Sequence, residues 1–324
     1  MSALTCSKVL IGSKSKRLIK LITAAALVTV LISFVANLSA KSPVIPRKDC
    51  NSWKINQSQH KTTLISKTVC LKNYFLLVLV SSAPSHFGRR NLIRETWGTD
   101  KNSVPEWKTF FLVGQTKNQT DSDLLKTENN IHGDIIRANY SEHYWNQSLK
   151  VEMGFEWAAR YCKFSYLLKA DDDVLVNTND LITRLQRAST PKNGLYLGKI
   201  NRNAEVRRYG KFSVNLKEYA GPTFPDYCSG GGFVLSYDVV ECMVPSFDVI
   251  NPFRIDDVYV GILAHELGLI PVHHSWFLLP NSYYDDCYFR PNVLVQHRVL
   301  GQCLIQQVHM HSLDFYSFRL GSYY

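Results

Sequence analysis

The chain has 324 residues, enough for one sizeable domain or two small ones, with 45% apolar and 20% charged side chains. Its formal net charge of +10 invites a polyanion-binding reading, but residues 1–48 alone hold eight Lys/Arg and no acidic residue. The rest carries 29 basic against 27 acidic side chains, which excludes a general nucleic-acid-binding surface.

In chain order, the basic residues Lys8, Lys14, Lys16, Arg17 and Lys20 precede an uncharged run of 18 residues, 21–38, at the short end for spanning a bilayer. Their position predicts a type II signal-anchor, with residues 1–20 as a cytosolic tail and everything after the anchor lumenal. A cleaved signal peptide is the rival reading: residues 36–40 have small-residue character, although the apolar run is long for such a signal. Residues 39–70, rich in Lys, Ser, Pro, Asn, Gln and Thr, read as a stem, leaving 71–324 as the folded lumenal domain. Seven cysteines follow the anchor (Cys50, Cys70, Cys162, Cys228, Cys242, Cys287, Cys303) without CxxC or zinc-like spacing. Seven is odd, so at least one thiol stays free or pairs between chains. Glycosylation sequons at Asn56, Asn118, Asn139 and Asn146 suit the same compartment.

Within the domain, the continuous apolar run 74–82 predicts a strand buried on both faces. A helical segment over 91–97 and a second apolar strand, 109–114, follow. Leu149, Met153, Trp157 and Tyr161 recur at helical spacing, with Lys150, Glu152, Glu156 and Arg160 on the other faces, and predict a core helix. A strand over 164–170 and a helix over 180–187 complete an alternation that indicates an α/β layered domain with a largely parallel sheet. There is no internal repeat, no GxGxxG and no Walker loop.

The strand at 164–170 stops at Asp171, Asp172 and Asp173, then apolar sequence resumes at Val174. Burying an unpaired carboxylate costs several kcal/mol, so three in a row call for a cation. Oxygen ligands suit Mg²⁺ or Mn²⁺, whose usual partner is a nucleotide phosphate; a structural calcium site and a solvated turn are the alternatives. Strand geometry sends Asp171 and Asp173 to one side and Asp172 to the other, so the outer pair could share metal and ribose. Ligands in such sheets bind beyond the carboxyl ends of the strands, where this cluster falls.

Three further blocks carry candidate chemistry. Arg89, Arg90 and Arg94 sit at a predicted helix start, which suits a diphosphate or nucleobase edge, or else is a solvated face with Trp97 in the core. Gly230, Gly231 and Gly232 precede an apolar strand and permit close backbone approach to a ligand, or simply make a tight turn or bulge. Asp256 and Asp257 open a predicted helix over 258–267, where they complement its dipole or supply a general base. His297 ends a short apolar run and is structural unless a metal lies within reach.

Taken together, the RRxxIRxTWG-type block at 89–98, KADDDVLVN at 169–177, YCSGGGFVLS at 227–236 and DDVYVG at 256–261 resemble the β-1,3-galactosyltransferase family, including its N-acetylglucosaminyltransferase relatives. The resemblance covers roughly residues 72–310. It implies a single GT-A-type nucleotide-sugar transferase domain, a Golgi membrane location with type II topology, and an inverting mechanism. It makes Asp171-Asp172-Asp173 the DxD motif, with Asp173 and His297 on Mn²⁺ (or Mg²⁺) and Asp171 near the metal or ribose. Arg89, Arg90, Arg94, Lys169 and Asp172 would serve the UDP-sugar, and Gly230, Gly231 and Gly232 the sugar and acceptor side. Asp257 is the expected base, with Asp256 the second candidate. The expected reaction is galactose transfer from UDP-galactose to the 3-hydroxyl of a glycan acceptor on protein or lipid. N-acetylglucosamine or N-acetylgalactosamine transfer, a carbohydrate-binding pseudoenzyme and a glycosidase are the rivals. Two departures from the family pattern, Asp256 where Glu is commoner and Asp226 before Tyr227, bear on acceptor preference.

Overall fold

The computed structural model describes residue 70 and residues 72–99, 107–279, 292–297 and 299. The expected tail, anchor and most of the stem, with Asn56, Cys50, Cys287 and Cys303, lie outside the described residues. Among the described residues no helix is long and apolar enough to cross a membrane.

The first apolar run forms β1 (Asn73–Ser81), and the others give β2 (Trp107–Gln115), β3 (Ile135–Ser141) and β4 (Lys163–Asp171). These four strands pair in parallel in the order β3-β2-β1-β4. The sheet continues through β7 (Tyr227–Ser236) to β6 (Tyr196–Asn201) and β8 (Val272–His273). Strand β7 runs antiparallel to both β4 and β6, so the sheet is mixed rather than purely parallel. The three glycines thus lie inside a strand and not in a turn ahead of one.

Alternation along β1 builds two cores. Leu77 and Leu79 face one way, packing with Met153 and Trp157 of α3 (Gln147–Tyr161), Val240 of α5 (Tyr237–Ser246) and Leu263 of α6 (Asp256–Glu266). Leu76, Val78 and Val80 face the other way, toward Ile93 of α1 (Phe87–Glu95), Leu125 of α2 (Gln119–His132) and Leu181 of α4 (Thr178–Leu185). A small second sheet closes that face: β5 (Val174–Val176), β10 (Val295–His297) and β9 (Phe277–Leu278). The result is the expected α/β layering.

The predicted polar faces of α3 survive only toward its end, where Arg160 is exposed and Glu156 half-buried. Lys150 and Glu152 are each only 1% exposed, because the helix is covered by the sheet on one side and α5 and α6 on the other. Both find partners: Lys150 Nζ donates to the Ser82 carbonyl and Glu142, at 2.7 Å each, and Glu152 accepts from the Tyr259 hydroxyl at 2.7 Å. A disulfide between Cys70 and Cys162 ties the start of β1 to the end of α3. Cys242 is also disulfide-bonded, whereas Cys228 is a free, buried thiol. Of the sequons, Asn118 and Asn139 are exposed, and the half-buried Asn146 donates its Nδ2 to the Ser141 carbonyl at 2.8 Å.

Candidate active site

Register places the chemistry at one edge of the large sheet. Ser81 at the end of β1 lies opposite Asp171 at the end of β4, and Ala170 lies opposite Gly232 of β7. In the small sheet β10 runs antiparallel to β5 with His297 opposite Val174, which carries the imidazole to the residue before it, Asp173.

The three acids divide as alternation predicts. One ligand atom each from Asp171, Asp173 and His297 falls within 4.8 Å of the others, with His297 Nε2 at 3.4 Å from Asp173 Oδ1. Burial raises the proton affinity of Asp173, but the His297 contact outweighs it and leaves the carboxyl below its ordinary range. Two carboxylate oxygens and one imidazole nitrogen fit a divalent ion that tolerates nitrogen, a donor set suiting Mn²⁺ better than Mg²⁺. Asp172 points elsewhere. Its Oδ2 accepts from Ser82 Oγ and contacts His86 Nδ1, both at 2.7 Å, and its Oδ1 accepts from Arg89 at 2.8 Å. With both oxygens engaged, Asp172 fixes Arg89 and His86 rather than offering a free ligand atom.

The glycine strand serves the protein's own side chains. A Cβ on Gly230 would stand 3.2 Å from the Asp257 Cβ, one on Gly231 2.9 Å from Leu279, and one on Gly232 2.9 Å from Val295. On the Cβ side, all three glycines therefore meet the protein's own side chains. Gly230 is the hub of the site. Its N–H donates to Asp257 Oδ2 at 3.0 Å, and its carbonyl accepts from Lys169 Nζ at 2.8 Å. Lys169 also reaches Asp171 Oδ1 at 2.7 Å and Asp256 Oδ2 at 3.1 Å. Its three protons are therefore matched by three acceptors and none is left for a nucleotide, which corrects its expected cofactor role.

Asp256 and Asp257 do open a helix, as predicted, but they differ. Asp256 lines the cleft and is paired with Lys169. Asp257 accepts from the N–H groups of Gly230 and Val258, yet burial, and next the negative charge of Asp256, push its pKa up to about 7. A carboxylate poised near neutrality suits a general base.

The arginine block departs most from expectation. Its helix starts at Phe87, so Arg89 is its third residue. Arg89 stays at the site through Asp172. Arg90 is fully buried: Nε and Nη2 donate to Glu128, and the remaining donors go to Ser82 Oγ and the carbonyls of Ala83 and Pro84. Arg94 grips Asp134 with two bonds, reaches Glu128 at 2.7 Å, and lies over the Phe111 ring. Both guanidinium groups join α1 to α2, Arg94 also to Asp134 just ahead of β3, and the hydrogen bonds they make go to the protein's own acceptors.

A cleft of about 230 Å³ opens beside these groups, lined by Ser82, His86 and the three acids. Tyr144, Trp145, Phe212 and Arg254 line it too, a set that the sequence reading missed. Local pattern gave little signal beyond the position of Tyr144 and Trp145 just before the Asn146 sequon and of Arg254 just before the acid pair.

The galactosyltransferase family model matches residues 88–275. N-acetyllactosaminide beta-1,3-N-acetylglucosaminyltransferase 2 of Homo sapiens is 36% identical over 217 residues, 64% of this chain and 54% of that protein, so the chain spans about half of that relative. Beta-1,3-galactosyltransferase 1 of Mus musculus is 32% identical over 251 residues, 76% of each chain. UDP-GalNAc:beta-1,3-N-acetylgalactosaminyltransferase 1 of Homo sapiens is 34% identical over 235 residues, 70% of this chain and 71% of that one. The chain belongs to the galactosyltransferase family of glycosyltransferases.

Proposed function

We propose that the chain is an inverting β-1,3-glycosyltransferase of GT-A type that moves galactose from UDP-galactose to the 3-hydroxyl of a glycan acceptor on protein or lipid. One observation carries this reading: the Asp171–Asp173–His297 ligand set and the Asp257 carboxyl, with its proton affinity raised to the neutral range, converge on one edge of the sheet. Asp257 takes the proton of the acceptor hydroxyl, and that oxygen forms its bond to the anomeric carbon as the bond to the UDP phosphate oxygen breaks on the opposite face. One displacement inverts the α-linked donor to a β-linked product, and no covalent intermediate is needed. Lys169 holds Asp171 and Asp256 at fixed separation, and the Gly230 N–H holds the base. Asp171, Asp173 and His297 would hold Mn²⁺ or Mg²⁺, and the charge such an ion supplies when bound makes a diphosphate a workable leaving group.

The relatives differ in donor, being named for galactosyl, N-acetylglucosaminyl and N-acetylgalactosaminyl transfer, and this favours a second reading with the same chemistry and an N-acetylated sugar. The basic residues ahead of the uncharged run 21–38 support a single-pass type II protein of the Golgi membrane. The test is UDP release by the detergent-solubilised full chain with Mn²⁺, each UDP-sugar in turn, and acceptors ending in galactose, glucosamine, galactosamine or mannose derivatives. Acceptor-dependent turnover with one donor, abolished in Asp173→Ala, is expected. A folded protein that neither turns over nor binds UDP would sink the proposal.

A further inference from the structure

We infer that Tyr144, Trp145 and Phe212 form a platform on which the terminal hexose ring of the acceptor stacks, so that this wall of the cleft selects the glycan to be extended. The inference rests on the glycosyltransferase reading and adds a subsite to it. The three rings come from distant parts of the chain. Tyr144 and Trp145 lie on the short turn ahead of α3, and Phe212 on the long connection 202–226 between β6 and β7. Trp145 meets Tyr144 and Phe212 edge to face, with centroids 4.9 Å and 6.5 Å apart, and Tyr144 and Phe212 are tilted to each other at 6.5 Å.

The connection buries Val206, Val214 and Phe224 and leaves Tyr209 and Leu216 exposed away from the cleft; Phe212, 38% exposed, and Tyr144, 50% exposed, line the cleft itself. Aromatic rings left open on a cleft lining present a binding surface. Arg254 fastens that surface to the catalytic helix: it lies over Trp145 at 5.2 Å, donates to the Ser213 carbonyl and pairs with Glu218 at 3.1 Å, two residues ahead of Asp256. Lys211 lies over Tyr144 at 4.6 Å and over Phe212 at 5.2 Å.

A pyranose has an apolar face of C–H bonds and a rim of hydroxyls. Aromatic rings flanked by fixed cations and by Glu142 complement both parts. The platform shares the cleft lining with Asp256, which opens the helix that carries the base, whereas Arg89, held by Asp172, is not part of that lining. The base acts on the acceptor, so the ring beside it belongs to the acceptor.

The test uses the detergent-solubilised full chain with Phe212→Ala, Trp145→Ala and Phe212→Trp. Acceptor KM and kcat are measured with the preferred donor, UDP·Mn²⁺ affinity by calorimetry, and folding by thermal melt. Each alanine variant should raise acceptor KM at least tenfold and leave UDP affinity within twofold, with Phe212→Trp close to wild type. An unchanged KM overturns the inference, and so does an equal loss of UDP affinity, which would give the wall to the nucleobase. If the wild type turns nothing over, the glycosyltransferase reading has failed on its own, and binding to a glycan array then decides. Wild-type binding to hexose-terminated glycans no stronger than that of Phe212→Ala overturns the platform as well.

Discussion

Replacing Asp257 with Asn separates what this carboxyl does for catalysis from what it costs the fold. In the folded chain burial, then the charge of Asp256, raises its pKa from 3.8 to about 7. A carboxyl raised in this way contributes stability that is fully present below its unfolded pKa and is lost as pH rises through the folded one. From about pH 5 to pH 8 the unfolded side chain is ionised throughout, while the folded one gives up its proton near 7. At about 1.36 kcal/mol per pH unit, the wild type loses roughly 2–3 kcal/mol over that interval relative to the variant. This is an upper figure, because the side chain is partly open to solvent and its charge is screened. The amide of the variant cannot accept from both the Gly230 and Val258 N–H groups, a loss of about 1–2 kcal/mol at any pH. Asp257→Asn should therefore melt below wild type at pH 5 and match or exceed it at pH 8, a swing of about 5 °C in EDTA. The same variant should lose about 10²–10⁴-fold in turnover while still binding UDP, and wild-type kcat/KM should climb with pH through about 7. A constant melting offset across pH would refute the buried titrating carboxyl. Near-normal turnover, with the large loss found in Asp256→Asn instead, would move the base one residue upstream.

The arginines give a contrast: Arg90→Met leaves Glu128 buried without half its partners and should destabilise the fold by about 3–5 kcal/mol, seen as a lower urea midpoint. Arg89→Met should fold normally, yet lose transfer about tenfold or more as Asp172 and His86 come loose at the cleft wall. Gly230→Ala forces the base away from its 3.2 Å approach, so kcat should fall about 10²-fold with little change in UDP affinity by calorimetry. Cys70→Ala with Cys162→Ala opens a loop spanning 92 residues and should cost about 2–5 kcal/mol in a denaturant titration, without touching the cleft.

The acid triplet was legible because a strand cannot bury three unpaired carboxylates, and because alternation alone sends the middle one to the opposite side. His297 was legible as an ambiguity: only the pairing of β10 with β5 shows that Asp171 and Asp173 lie within its reach. The arginine block misled for a physical reason. Arginine is an exposed residue by habit, and its partners Glu128 and Asp134 stand 34 to 40 residues away, on a helix and a turn that carry no strong apolar period. The glycines answer to the bulge reading: the β6–β7 register breaks between Cys228 and Phe233, β4 pairs with only Gly232 of the three, and the missing side chains make room for Asp257, Leu279 and Val295. The amphipathic pattern set Lys150 and Glu152 off the apolar stripe, yet both are buried because the helix is covered on two sides. The aromatic wall needs three segments that only the tertiary fold assembles.

Charge at the site bears on the kind of ion proposed for it. Five carboxylates gather there, Asp171, Asp172, Asp173, Asp256 and Asp257, against two permanent cations in direct contact, Lys169 and Arg89. Lys169 offsets one charge of the Asp171–Asp256 pair, and Arg89 offsets Asp172. Near neutral pH a proton on Asp257 removes another, leaving about two negative charges where His297 meets Asp171 and Asp173. A divalent ion restores the balance there, whereas a monovalent one leaves a deficit. The balance has a consequence for the base. A cation on Asp171 and Asp173 also acts on Asp256 and Asp257, favours their ionised forms, and so lowers the pKa of Asp257. The pH at which wild type and Asp257→Asn exchange order in thermal melts should therefore fall when Mn²⁺ replaces EDTA. A crossing that stays put, in a protein shown to bind Mn²⁺ through His297, would mean that the metal and the base do not share one electrostatic site.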